Sequence, residues 1–237
     1  MKKYIPIFLA FLLCISGSGF SQSIYQRSSL QPDNLRCEYL VDPLGIETAN
    51  PRLSWTFVSN ERNQVQSAYE IIVGDSRSAV EKSIGNCWLT GKINTNKHLH
   101  IQYKGKPLKS FTRYYWRVRI YNGEAKPTNW SKTAWFETAM MDTTDWKANW
   151  IDDGKSQPLK DEEYYEDDPM PLFRKEFNVQ KKIVSARLYI SGLGYCEAYI
   201  NGQRAGDQVL DPGFTTYAKQ VLYSVYDITS LLKKGKN

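Results

Sequence analysis

Histidine occurs twice and cysteine four times in the 237 residues, and neither type clusters. Zinc sites need closely spaced Cys or His ligands, and small disulfide scaffolds need dense paired cysteines, so neither organises this chain. Basic tracts are also missing. Lysine and arginine adjoin only in pairs such as Lys181-Lys182 and Lys233-Lys234, with acids interleaved, which excludes a nucleic-acid-binding face despite the formal charge of +6. No apolar run reaches the roughly 20 residues that cross a bilayer, and no repeat of solenoid period occurs. What is abundant is aromatic surface: 14% of the residues, with 7 Trp and 16 Tyr. A chain so rich in bulky side chains buries a core and is not disordered.

The first residues read as an export signal. Lys2 and Lys3 supply the positive start, Ile5 to Ile15 the apolar stretch, and Gly19 and Ser21 the small residues for cleavage before Gln22. Residues 1–21 are therefore expected to be removed, placing the protein in the periplasm or outside the cell. Cys14 leaves with them. Cys37, Cys87 and Cys196 remain, an odd and scattered set expected to serve as small apolar residues, with one disulfide at most.

All seven Trp lie between Trp55 and Trp150, a composition shift that divides the chain. The stretch from Asp152 to Pro171 carries three prolines and the acids Asp161, Glu162, Glu163, Glu166, Asp167 and Asp168, so residues 141–170 read as a linker with an acidic loop. Upstream, short alternating segments separated by turns predict an antiparallel sandwich. Arg52 to Val58 alternates Leu53, Trp55 and Phe57 with polar residues, and Tyr114 to Tyr121 sets Tyr114, Trp116, Val118 and Ile120 on one face before the turn Asn122-Gly123. Ala68 to Val73, Cys87 to Leu89 and His100 to Tyr103 are further predicted strands, and Arg77 to Ser83 a helical turn. Downstream, strands are predicted at Leu172 to Asn178, Ser185 to Ile190, Tyr195 to Ile200 and Lys219 to Tyr226. Asn201-Gly202 predicts a hairpin, and Asp227 caps a turn bearing Ile228, Leu231 and Leu232.

Leu108, then Tyr114-x-Trp116-x-Val118-x-Ile120-x-Asn122, then Trp130-Ser131 and Phe136-Glu137-Thr138, resembles the end of a fibronectin type III domain, in which a Tyr sits at the corner between the sheets and an early Trp, here Trp55, fills the core. The whole series is similar to the N-terminal region of bacterial α-L-rhamnosidases of glycoside hydrolase family 78. Leu35 to Tyr39, Asp42 to Ile46, Pro51 to Trp55, Ala68 to Val73 and Tyr115 to Arg119 carry the first half of that resemblance. Pro171 to Phe177, Gly192 to Tyr195, Tyr199 to Gly202 and Asp211 to Tyr217 carry the second. The resemblance implies an all-β chain: a fibronectin III-like sandwich over residues 33–140 and a jelly-roll, galactose-binding-like sandwich beginning at 171. A jelly roll uses about eight strands, and residues 171–237 supply four or five, so this half is expected to be incomplete, with an open edge and an uncovered apolar face. The chain is expected to be a fragment or to pair with something else.

In that family, the acid and base carboxylates of the hydrolase lie on an (α/α)6 barrel after the domains seen here. An inverting glycosidase needs two carboxyl groups about 6.5–9.5 Å apart, one of raised pKa. No residue here matches the motifs of that pair. The reading is an exported, non-catalytic N-terminal portion of an α-L-rhamnosidase, meeting rhamnose-containing glycans through a parent enzyme whose barrel is absent from this chain. The chain alone is expected to be inactive. Catalytic, cofactor-binding and metal residues are assigned to none, no cofactor is expected, and carbohydrate-binding residues are left unassigned. The alternative is a stand-alone carbohydrate-binding or adhesion module.

Other candidates carry plainer readings. His98 and His100, two apart, lack a third ligand nearby and read as surface residues. The acids around Tyr164-Tyr165 match no Ca²⁺ loop spacing and read as a solvated linker. Trp130, Trp146 and Trp150 are a possible sugar-stacking surface, but packing is preferred because Trp buries large area. Gly192 and Gly194 lack the following helix of a phosphate loop and read as turn residues. Asp211 to Tyr217 is read first as a tight turn and second as an interface loop. Asn129-Trp130-Ser131 has the form of a glycosylation acceptor, without meaning in a bacterial host.

Overall fold

The computed structural model describes residues 29–156, 159–167 and 169–237, and only the backbone of Glu163 and Tyr164. The signal sequence proposed for residues 1–21, with Cys14, lies outside the described residues, as does Asp168. Among the described residues, no helix is long and apolar enough to cross a membrane.

The chain is almost wholly β. Strands β1 (Gln31–Cys37), β2 (Arg52–Val58), β3 (Ala68–Gly74), β4 (Trp88–Leu89), β5 (Ile93–Asn94), β6 (Ile101–Gln102), β7 (Arg113–Tyr121) and β8 (Ala134–Glu137) form two antiparallel sheets, with helix α1 (Arg77–Glu81) after β3. One sheet has the order β1-β2-β6, the other β4-β3-β7-β8 with β5 also on β3. The period-2 pattern explains which faces meet. In β7, Tyr114, Trp116, Val118 and Ile120 are buried, while Tyr115, Arg117 and Arg119 stand on the other face, as the alternation predicts. With Leu53 and Trp55 of β2, Ile71 and Val73 of β3 and Phe136 of β8 they make a continuous core. The Tyr114 hydroxyl accepts a hydrogen bond from the Lys109 N–H at 2.8 Å, tying the entry to β7 to the corner of the sandwich. Trp55 fills the core as expected and donates through Nε1 to Gln66 Oε1 at 3.0 Å.

The outward face of β7 is laddered by cation–aromatic contacts. Arg113 lies 3.9 Å above the Trp135 ring, and Arg119, paired with Glu70, lies 4.8 Å above Trp130. Across the other sheet, Arg52 Nε and Nη2 donate to Glu38 Oε1 and Oε2 at 3.2 and 2.5 Å, and this hydrogen-bonded guanidinium holds the carboxyl below the ordinary glutamate value of 4.5. The folded value is depressed, so the pair contributes stability that is complete above about pH 4.5 and lost as pH falls below it. Glu38→Gln is therefore expected to flatten the acid limb of the stability curve below that pH; an unchanged acid limb in denaturant titrations would refute it.

The second half is thinner. Strands β9 (Asn178–Val179), β10 (Arg187–Ile190), β11 (Tyr199–Ile200), β12 (Gln203–Arg204), β13 (Ser224–Asp227) and β14 (Gly235–Lys236) form three separate two-stranded pairs: β10-β13, β11-β12 and β9-β14. Asn201 and Gly202, at φ 52° and 81°, make the predicted β11-β12 hairpin. The longer strands predicted at Leu172 to Asn178, Tyr195 to Ile200 and Lys219 to Tyr226 shrink to β9, β11 and β13, because a strand persists only where a neighbour accepts its hydrogen bonds. Among the described residues, this half's own core is a small cluster of Ala205, Tyr226 and Ile228, with partly buried Leu188, Ile190 and Leu231 against it. Gly206, at φ +79°, lets the backbone pass the Tyr226 ring, where a Cβ would meet ring carbons at 2.5 Å. Leu172 (98% exposed), Val209, Leu210 and Phe214 are exposed to solvent.

Candidate functional site

The β10-β13 ribbon has two different faces. Leu188 and Ile190 turn inward, with Tyr226 of β13, to the small core of the second half. Arg187 and Tyr189, which alternation assigns to solvent, face the end of the first sandwich instead. Gly45, at φ +79°, permits this approach: a Cβ there would stand 3.3 Å from Val225 Cγ2. Beside it the Tyr223 hydroxyl is buried against Glu47, and burial with that carboxylate pushes its pKa up. Trp146 packs on Tyr223 at 5.8 Å between ring centroids, and Phe111 meets Tyr189 edge-on at 5.2 Å.

A charge cluster sits at the centre of the junction. The side chains of Arg187 and Glu137 are each 9% exposed. Arg187 Nε and Nη2 donate to Glu137 Oε1 and Oε2 at 2.7 and 3.0 Å, and Arg187 Nη1 pairs with Asp227 Oδ1 at 2.9 Å. Arg113, held on the Trp135 face, donates from Nε and Nη2 to Glu137 Oε2 at 2.9 and 2.8 Å. One carboxylate thus takes forks from two guanidiniums, a geometry that lysine could not supply. The environment has opposing effects on Arg187. Desolvation lowers its pKa, the Glu137 hydrogen bonds raise it, and the balance lies above the ordinary arginine value. Asp227 is likewise subject to burial that raises its pKa, but the Thr229 hydrogen bonds and the two arginines outweigh it and hold the carboxyl low. Glu137 thus ties the end of β8 to both β7 and β10.

Next to this cluster opens a cleft of about 550 Å³ lined by Phe111, Arg113, Tyr115, Glu137, Arg187 and Tyr189, with the loop from Val184 to Ala186 on its far wall. None of these residues was singled out as a site from sequence. Phe136-Glu137-Thr138 stood there only as part of the fibronectin III resemblance, and an acid closing an apolar strand is the one local signal that could have marked the spot.

The residues that sequence reading did single out scatter. His98 stacks edge-on against Phe57 and His100 against Tyr39, each ring in its own aromatic contact. Among the described residues, no group of three or more His, Cys, Asp and Glu could hold a metal ion. The acidic stretch forms a short 3-10 turn, Asp161–Tyr165. Trp146 joins the junction, Trp130 lies under Arg119, and Trp150 is exposed. Cys37 is buried, with desolvation pushing its thiol up, while Cys87 and Cys196 are half-buried; all three are free thiols. In the loop from Asp211 to Tyr217, the Asp211-Pro212 bond is cis, Asp211 accepts from the Tyr226 hydroxyl, and Phe214 is exposed beside Tyr217. Gly194 has φ +119° at its turn, and Gly192 packs near Cys196.

Known proteins share this arrangement of sequence. Residues 32–142 match the family described as the Rha78A-like N-terminal immunoglobulin domain, and residues 181–237 match the alpha-L-rhamnosidase N-terminal domain. A curated α-L-rhamnosidase of Formosa agariphila is 32% identical over 251 aligned positions, covering 100% of this chain and 26% of its own length. Among solved structures, an α-L-rhamnosidase from Dictyoglumus thermophilum aligns at TM-score 0.78 and 40% identity, over 87% of this chain and 24% of that one. One from Aspergillus terreus aligns at TM-score 0.70 and 30% identity, over 87% and 23%. The chain spans about a quarter of the length of these relatives.

Proposed function

The chain belongs to the N-terminal region of the α-L-rhamnosidases, and from that premise we propose that it is the exported, non-catalytic portion of an enzyme hydrolysing terminal α-L-rhamnosides in plant or microbial glycans. Its own task is mechanical. The sandwich and the β10-β13 ribbon make a rigid platform, and catalysis belongs to a region of the parent outside these residues, of the (α/α)6 barrel type that the family resemblance implies. The observation that carries this reading is the junction. Its carboxylate, Glu137, is engaged by two guanidiniums that tie the sandwich to the ribbon. The exposed apolar residues of the second half, Leu172, Val209, Leu210 and Phe214, support it as well, since surfaces of this kind are covered in a complete protein.

The test is turnover of an aryl α-L-rhamnoside. The purified chain is expected to show none above the uncatalysed rate, and a protein extended to the full length of the relatives is expected to hydrolyse it. Turnover by the chain alone overturns the reading.

A further inference from the structure

We propose that the cleft at the junction binds a neutral sugar residue, with the face of the Phe111 ring as its platform. This deepens the rhamnosidase-region reading and rests on it for the choice of probe. Three observations at the cleft converge. First, about 550 Å³ is the size class of small-ligand sites and has room for one or two sugar rings. Second, Phe111 is held in a costly conformation to present its ring. Its φ of +54° lies in the left-handed region, rare for a bulky residue, its N–H is pinned to the Ala139 carbonyl at 3.0 Å, and the residue is 47% exposed although its ring meets Tyr189 edge-on. An aromatic side chain that gained only from burial would not be placed so. Third, the charges at the cleft are largely engaged with one another. Arg187 gives all its nitrogens to Glu137, Asp227 and neighbouring oxygens, and Arg113 gives Nε and Nη2 to Glu137. A phosphate or uronate would compete with Glu137 for these donors, whereas a polyol can use the hydroxyls of Tyr115 and Ser185 while its C–H face lies on Phe111.

Calorimetry and ligand-observed NMR on the full chain, with methyl α-L-rhamnoside as the probe and glucuronate as the charged control, decide the matter. Millimolar binding of the neutral sugar and much weaker binding of the uronate are expected. Phe111→Gly removes the platform and at the same time relieves the left-handed strain, so the fold should stay as stable or gain, while affinity drops about tenfold or more. Phe111→Trp should retain affinity. Ser185→Trp, at an exposed loop position, fills the cleft and should abolish binding with the fold intact. Absence of neutral-sugar binding, uronate binding of equal strength, or affinity unchanged in Phe111→Gly or Ser185→Trp overturns the proposal. None of these measurements reads turnover, so a failure here leaves the activity test of the parent enzyme untouched.

Discussion

Arg187→Ala is expected to lower stability by about 3 kcal/mol, the cost of removing one partner from a buried ion pair. The Glu137 side chain is only 9% exposed, so its charge has little water to turn to once the fork from Arg187 is gone. Arg113 still holds Oε2, which keeps the loss toward the lower end of the range. The loss should not be uniform. The described core of the second half is the small cluster Ala205, Tyr226 and Ile228, so its order depends on docking against the sandwich. All seven Trp lie in residues 55–150, so tryptophan fluorescence reports mainly the sandwich, and near-ultraviolet dichroism adds the Tyr-rich second half. The two probes should melt together in the parent chain and separate in Arg187→Ala, with the second half unfolding first. Adding Glu137→Gln to Arg187→Ala should recover part of the loss by removing the surplus charge. A single coincident transition within 0.5 kcal/mol of the parent, on the order of the error expected for independent sites, would show that the junction does not hold the halves together.

Trp116→Ala is expected to cost about 4 kcal/mol, since Trp116 is fully enclosed between the sheets and its removal leaves a cavity the sandwich cannot close. Replacement by Phe separates two contributions at the same depth. The Nε1–H of Trp116 is buried without a hydrogen-bond partner, so Trp116→Phe removes an unpaired donor along with some volume. Trp55 differs: its Nε1 donates to Gln66 Oε1, and Gln66 is itself 4% exposed. Trp55→Phe leaves that oxygen buried and unpaired, so it should cost about 1–2 kcal/mol more than Trp116→Phe. Urea unfolding of the two variants checks the order, and equal or reversed costs would refute it.

The centre of the sandwich was legible because β2, β3 and β7 are long and paired on both sides. β2 and β7 fall where alternation predicts them, Tyr114 and Trp55 occupy the corner and the core, and Ser76 caps α1 where the sequence predicts a helical turn. The turn predicted after β7 at Asn122-Gly123 is present. Asn122 builds it with its side chain, accepting from the Glu124 and Lys126 N–H groups, and Ala125 is its left-handed residue, at φ 59°. The second half was legible only in outline. The Asn201-Gly202 hairpin and the β10 and β13 segments were placed, but the stretch from Leu172 to Phe177 has strand composition without an assigned strand, and among the described residues only its last is paired, Phe177 exchanging backbone hydrogen bonds with Asn237 at 3.2 and 2.9 Å.

The sequence by itself determined the class and the periodic elements: an all-β chain, a sandwich with Trp and Tyr at fixed places, and a second, thinner set of strands. Those features rest on interactions between near neighbours, which a pattern of period 2 and a few turn residues can encode. Only the tertiary structure decided what the outward face of β10 does. Arg187 and Tyr189 alternate with apolar residues as solvent-facing side chains would, yet Glu137, fifty positions away, and Phe111 meet them across the junction. A fork between two guanidiniums and one carboxylate depends on three chain segments arriving within 3 Å of each other, and no local pattern specifies that arrival.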